Sequence, residues 1–600
     1  MQRFISQFIQ GSSMPMLLGL LAGLYFFVFH VIGFGFEYFP GDLGDGRLNL
    51  YFLEHVHRFF TGDVASFWNA PFMHPEPMVI SYSDNLLGSA PFYSLFRVLG
   101  FGTYTAYQLW FVTVSLLNYI CAFYFLKYVF KNNYAAVLGA FVFAFSIAMQ
   151  SQLTHAQTFP RFAIPLALWM AVKFSEDLKP KYFFYTLLFV VYQIYCGIYL
   201  GLMLAVPTGI YLLLIILKDI FGERKGVPSF KWYFKLCLAG VVNVLILLPL
   251  MVPYMDRKIE PTMDYYRQIS GSIPTLLSHF YSQQGSLLWD SLSQVGKNLP
   301  ASWDHQIFAG AFATVCLLVA FFVLVIVFTK ARLRIAKLSS LSTLFLAGLT
   351  TLLLYVRFGT FSAYVLVYHL PGFSSMRSVT RIINVELIFF ALAIAFVYVE
   401  LISNRIRLQV ILFIACLGLI ISDNYFFAEK SYKTLVDIAE QRTQTVDKAF
   451  ALIPKESIAS YEPMELIEAP HLYQIDAMMA SQAYDIKVIN AYTATCPGDY
   501  GPYWNQLNES SRMHWLADRD IEADTLYVVK NAEIIQRIPS SMIANSEQKL
   551  KKRKERLEGM MNYIRSDKAW MEQIQQKALD KNISVDSMII LDAQWSIEHQ

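Results

Sequence analysis

The sequence predicts an all-α polytopic membrane bundle of about eleven transmembrane helices, followed by a small soluble α/β domain and a charged helical tail. Three observations carry that expectation. First, of 600 residues 56% are hydrophobic and 16% charged, with a mean hydropathy of +0.41, whereas a soluble domain carries roughly 25% charged residues. Second, the apolar residues gather in blocks of about 17–25, the length that crosses a hydrocarbon core. Third, Lys and Arg segregate by loop, so the net charge of +3 says little by itself.

The expected spans are 14–34, 104–126, 134–153, 160–175, 182–200, 201–218, 233–252, 307–328, 340–357, 379–401 and 406–422. The first is too long for a cleaved signal peptide, and Phe34-Gly35-Phe36-Glu37 after it lacks a small-x-small cleavage site. Only Gly197 and Gly201 punctuate the 182–218 block. Basic residues collect in alternate loops: Arg3; Lys127 and Lys131; Lys173, Lys179 and Lys181; Lys218, Arg224, Lys225 and Lys231; Lys330, Arg332, Arg334 and Lys337; Arg405 and Arg407. Eleven spans put all of these on one side, expected to be the cytoplasm. The loops at 35–103, 154–159, 253–306 and 358–378 then face outward, with everything after 423. Five of six cysteines lie within or beside apolar spans and Cys496 stands alone, which implies neither a disulfide framework nor a CxxC metal site.

The division expected is a membrane module over 1–422, an outer α/β domain over 423–545 and a charged helical tail over 546–600. In the first outer loop Leu48, Tyr51, Phe52, His55 and Phe59 recur at helical spacing, which predicts an amphipathic helix lying in the interface. The run Phe67 to Pro77 holds prolines that forbid a regular helix. Residues 86–99 are apolar but too short to span. The outer domain reads as helices near 431–452 and 471–482 with strands near 457–462, 486–492 and 525–530. The run Lys549 to Arg556 reads as a solvated helix face, and nucleic acid is not an expected partner outside the membrane.

Asp42 and Asp45 share the loop Gly41-Asp42-Leu43-Gly44-Asp45-Gly46. Carboxylates at a bilayer are costly, and an ionised Asp takes a proton from a hydroxyl nucleophile within hydrogen-bond reach. The plainer alternative is a cap for the helix that begins near Gly46. Asp84, in Tyr82-Ser83-Asp84-Asn85, reads either as a cap or as a second carboxylate for substrate hydroxyls or a divalent cation such as Mg²⁺ or Mn²⁺. His55 and His57, two apart on a helix, face apart and do not chelate. His155, Gln157 and Arg161 cluster at the outer end of a helix pair, and Arg377 and Arg381 stand four apart at the outer start of a span. Arginines there hold phosphate through bidentate contacts, or merely snorkel.

Taken in order, these motifs resemble the C-type (GT-C) superfamily of integral membrane glycosyltransferases, in a broad bacterial branch. The resemblance rests on Gly44 to Asn49, the Asn69 to Pro77 run, Tyr82 to Gly88, His155-Ala156-Gln157, Pro371 to Arg381 and, in the outer domain, Asn490-Ala491-Tyr492 with Pro497 and Tyr500. Many members carry an Asp-Glu pair in the first loop; here two Asp stand three apart. The resemblance implies a polyprenyl-phosphate-linked sugar donor and an envelope glycan, lipid or protein acceptor, in the bacterial cytoplasmic membrane. It implies Asp45 as general base, with Asp42 or Asp84 assisting and Asp45 with Asp84 at any divalent cation. His155, Gln157, Arg161, Arg377 and Arg381 would bind substrate, and Asn490 and Tyr492 would serve the acceptor. A glycolipid transporter or flippase is the runner-up, but it needs polar groups deep in the spans or broken helices near midplane, and the spans are nearly free of charge. A non-catalytic envelope assembly protein leaves the carboxylate loop unexplained.

Overall fold

A computed structural model describes residues 13–221, 229–257, 262–330, 338–401, 406–519, 521, 523–531, 534–544, 547–581 and 583–598. Of the basic residues used for orientation, Arg3, Arg224, Lys225, Arg332, Arg334, Lys337 and Arg405 lie outside the described residues. The chain divides into two compact units, Met1–Phe67 with Ile80–Ala439, and Trp68–Val79 with Glu440–Gln600.

In the first unit, helices overlie each apolar block: α1 (Met14–Ile32), α2 (Asp45–Thr61), α3 (Ala90–Val98), α4 (Thr103–Phe130), α5 (Asn133–Phe145), α6 (Ala163–Asp177), α7 (Pro180–Cys196), α8 (Ile198–Phe221), α9 (Phe230–Met255), α10 (Ala311–Lys330), α11 (Ser340–Tyr355), α12 (Ile383–Leu401) and α13 (Ile406–Asn424). Among the described residues seven are long and apolar enough to cross a membrane: α1, α4, α5 with its extension to Gln152, α8, α9, α10, and α12 with its preceding turn from Val379. Length and composition alone support seven of the eleven expected spans; the other four fall on shorter helices. Helices α6, α7 and α11 have 15, 17 and 16 residues, and the apolar part of α13 is Leu408–Asn424. Gly197 divides the ambiguous 182–218 block, since α7 ends at Cys196 and α8 begins at Ile198.

Helix α5 is the centre of this unit. All of its apolar window is buried, whereas α9 and α10 bury only 22% and 28% of theirs. The uncovered apolar faces are what lipid contact requires, because lipid tails solvate them as well as a core does. Close approach does the work inside: a Cβ on Gly139 of α5 would stand 2.5 Å from the Ala391 carbonyl oxygen of α12, so only a bare backbone fits.

The first outer loop departs from the expected interfacial helix. Residues Gly46 to Val56 of α2 are buried on every face, because its polar side is covered as well. Glu54 accepts from the Tyr93 hydroxyl at 2.6 Å and from Arg97 Nε and Nη2 at 2.8 and 3.0 Å, which clamps α2 to α3. His55 Nε2 bonds the Phe67 carbonyl at 2.8 Å and His57 Nδ1 bonds Ser94 Oγ at 2.8 Å. A short strand β1 (Tyr38–Pro40) pairs antiparallel with β2 (Lys433–Leu435), which carries the unit's boundary past the residue 422 expected from sequence.

The second unit holds most of α14 (Val436–Phe450), then β3 (Ile458–Tyr461), α15 (Pro470–Tyr484), β4 (Lys487–Val488), α16 (Glu509–Leu516), β5 (Thr525–Asn531) and β6 (Ile534–Pro539). The sheet order is β4-β3-β5-β6; β3 runs parallel to both neighbours and β6 antiparallel to β5. Strand β6 was not expected from the sequence. Residues 68–79 of the first outer loop belong here: the Pro71 carbonyl accepts from Val488 N, and His74 N donates to the Val488 carbonyl, both at 2.9 Å. Buried Glu462 accepts from Ser460 Oγ at 2.8 Å and Lys530 Nζ at 2.9 Å and pairs with buried Arg512. The expected tail is a packed helical cluster, α17 (Glu547–Ser566), α18 (Lys568–Lys581) and α19 (Val585–Glu598), around Ile564, Ile574, Met588 and Ile589.

Candidate functional site

The carboxylate loop is shaped by a glycine. Gly41 has φ +113°, and a Cβ there would lie 2.9 Å from Gly46 Cα, so the loop folds back on the start of α2. That fold brings Asp42 Oδ1 to the Gly44 and Gly46 amides, each donating at 3.1 Å. Asp42 is therefore the carboxylate that caps the loop and the first turn of α2. Desolvation and then the Asp45 charge raise its pKa, opposed by the two glycine amides and by His155.

Asp45 opens α2 with its side chain about one-third exposed and meets His155, whose Nδ1 stands 3.2 Å from Asp45 Oδ2. An ionised carboxylate only accepts, so across this distance the Nδ1–H of His155 is the donor. Carboxylate and imidazole together form a half-open proton acceptor.

Asp84 is a helix cap, though not of the helix expected. Its Oδ1 and Oδ2 each lie 3.2 Å from Ile198 N, and Oδ1 accepts from Asn85 N at 2.9 Å. It therefore closes the start of α8, 114 positions along the chain. Burial pushes its carboxyl up to about 6, against the pull of these two amides and the Arg381 charge. The junction needs a glycine, because a Cβ on Gly197 would stand 2.6 Å from the Gln157 carbonyl and 3.7 Å from Asp84 Oδ2. The segment carrying His155 and Gln157 thus runs from the Asp45 side to the Asp84 side.

Tyr199, one residue into α8 beyond Ile198, extends the chain of contacts to the arginines. Its ring lies 5.4 Å from Arg381 Cζ, its hydroxyl donates to the Ser375 carbonyl at 2.8 Å, and the same oxygen accepts from Arg377 N at 3.2 Å. Arg377 is exposed and Arg381 half-buried. Nε of Arg381 has no acceptor among the described residues. Arg161 stands apart: it is 2% exposed and donates inward, to the Ala144 carbonyl at 3.2 Å and Asn384 Oδ1 at 3.4 Å. Sequence reasoning missed Tyr199, which is one more aromatic in an apolar helix. It also missed the His279–Glu386 pair, 3.3 Å apart, which ties the second outer loop to α12. Burial alone would lower the His279 pKa; Glu386 and the Thr275 carbonyl more than offset it and leave it raised.

In the second unit Asn490 spends its amide on the Tyr461 backbone, accepting at 2.7 Å and donating at 3.0 Å. Tyr492 is half-buried between the rings of His471 and Trp504 at 5.1 and 5.5 Å. Among the described residues no group of three or more His, Cys, Asp or Glu is placed to hold a metal ion. Asp84 accepts from backbone amides and Asp45 meets His155.

No family model and no curated protein matches the chain. Similar solved structures include the oligosaccharyltransferase of Archaeoglobus fulgidus. Its complex with Zn and sulfate has a TM-score of 0.42 at 12% identity, over 86% of this chain and 67% of that one. Its apo form gives 0.44 and 12%, over 86% and 69%. The archaeal oligosaccharyltransferase AglB of the same organism, with an inhibitory peptide and a dolichol-phosphate, gives 0.43 and 11%, over 86% and 69%.

Proposed function

We propose that the chain is a membrane glycosyltransferase that moves a sugar from a polyprenyl-phosphate lipid to an acceptor hydroxyl at the extracytoplasmic end of the bundle. One observation carries the reading: the half-open Asp45–His155 pair and the Arg381–Tyr199 stack belong to one unit, linked through Gln157, Gly197 and the Asp84-capped start of α8. A proton acceptor and a cationic anion-binder on linked, fixed backbone are the two things sugar transfer from a phosphate needs.

The acceptor hydroxyl loses its proton to the Asp45–His155 pair as its oxygen bonds the anomeric carbon. The bond from that carbon to the phosphate oxygen breaks, the electron pair leaves with the phosphate, and configuration inverts. Arg377 and Arg381 stabilise the charge growing on that phosphate. Asp42 and Asp84 hold the loop and the helix start that present these groups. No step is routed through a divalent cation. The membrane part crosses eleven times in the bacterial cytoplasmic membrane, with the N-terminus in the cytoplasm. The second unit, outside, selects an envelope glycan, lipid or protein acceptor through the Tyr492 surface.

The test is sugar transfer from polyprenyl-phosphate donors by the full chain in lipid nanodiscs. Arg381→Ala and Arg377→Ala should each lower kcat/KM for donor by about 10²-fold. A folded wild-type protein that consumes no such donor, or arginine variants with unchanged kcat/KM, would overturn the reading.

A further inference from the structure

A cavity of about 30 Å³ lies in the first unit between α1, α4 and the segment that leads from the end of α5 to Arg161. Space of that size takes about two waters or one small ion. Its walls include Phe27, Phe111, Ser115, Gln150 and Arg161.

Arg161 there is a buried cation with no countercharge among the described residues. Its acceptors are the Ala144 carbonyl and the Asn384 amide oxygen; it also touches Met149 Sδ, and its Cζ lies 5.4 Å from the Phe143 ring. All four are neutral. Its Nε–H has no acceptor among the described residues. Dipoles and a ring face soften a buried charge, but an isolated buried guanidinium is still among the most expensive groups a protein can hold. Gln150, 4% exposed, lines the same cavity with its Oε1 unbonded among the described residues. A half-turn of that amide places N–H where the oxygen stands. Ser115 adds a hydroxyl donor to the wall.

We propose that this cavity holds a small monovalent anion, a halide, as the counter-ion of Arg161. Charge fixes the valence: the lining supplies one cation, so a single negative charge neutralises it, whereas a dianion leaves an excess in an apolar pocket. This site does not depend on the transfer chemistry proposed above.

The experiment compares the purified full chain in sodium gluconate, chloride and bromide at equal ionic strength. Chloride and bromide should raise Tm by about 2 °C over gluconate, saturably, as expected for a ligand bound only by the folded state. In Arg161→Gln that difference should vanish. Because this variant removes a buried group and risks misfolding, a second measurement uses wild-type crystals soaked in bromide. An anomalous peak is expected within hydrogen-bond reach of the Arg161 guanidinium. Three results would each overturn the proposal: no halide-specific shift, a shift that persists in Arg161→Gln, or a cavity without bromide.

Discussion

At the scale of single residues, three carboxylates that look alike in sequence do three different things. Asp42 accepts from the Gly44 and Gly46 amides, Asp84 accepts at the start of α8, and Asp45 faces His155. The difference is one of local backbone. An Asx-type turn engages the first Asp, and the second opens the helix beside His155. Asp84 gives a sign that can be measured. Its carboxyl is held at about 6 against an ordinary 3.8, so the folded chain keeps a proton that the unfolded chain has lost. Its contribution therefore favours folding below about 3.8 and is lost as pH rises through about 6. Asp84→Asn should flatten the fall of Tm over that window; an unchanged slope would show that Asp84 does not titrate there. The loops and their carboxylates were legible in the sequence because Gly and Asp punctuate them. The partners were not: nothing local in Asp84 marks Ile198 as its amide donor, and no periodicity marks Tyr199 as the face under Arg381.

At the scale of elements, the apolar stripe of α2 was visible and its surroundings were not. Helical spacing reports which face seeks cover, not whether the opposite face is covered too, and Glu54 with Arg97 and Tyr93 covers it. Removing one member of such a clamp strands the other charge. Glu54→Ala should cost about 3 kcal/mol or more, and Glu54→Leu with Arg97→Leu should recover much of that loss, both read by denaturant or thermal unfolding in detergent. A double variant no better than the single would mean that the clamp does not act as a pair. Short helices explain the other shortfall. Composition marks apolar blocks well, but Pro180 and Gly197 trim α7 to 17 residues, below what length alone accepts as a span.

For the whole molecule, the apolar pattern made a multi-pass bundle legible, and the drop in hydrophobicity after residue 423 made a second body legible. The exact division was not, because residues 68–79 join the second unit through backbone hydrogen bonds that leave no mark on composition. The topology we propose, with eleven crossings, predicts that a reporter fused after residue 430 is active only outside the cytoplasm; activity confined to the cytoplasm would put the carboxylate loop on the wrong face. The central claim is that the Asp45–His155 pair takes the acceptor's proton. Its most direct test is the rate of sugar transfer by Asp45→Asn beside wild type and Asp42→Asn in the same membranes. The account predicts a loss of about 10²–10⁴-fold for Asp45→Asn, with Asp42→Asn within about tenfold of wild type because its oxygen still caps the loop. Transfer by Asp45→Asn at the wild-type rate would contradict it.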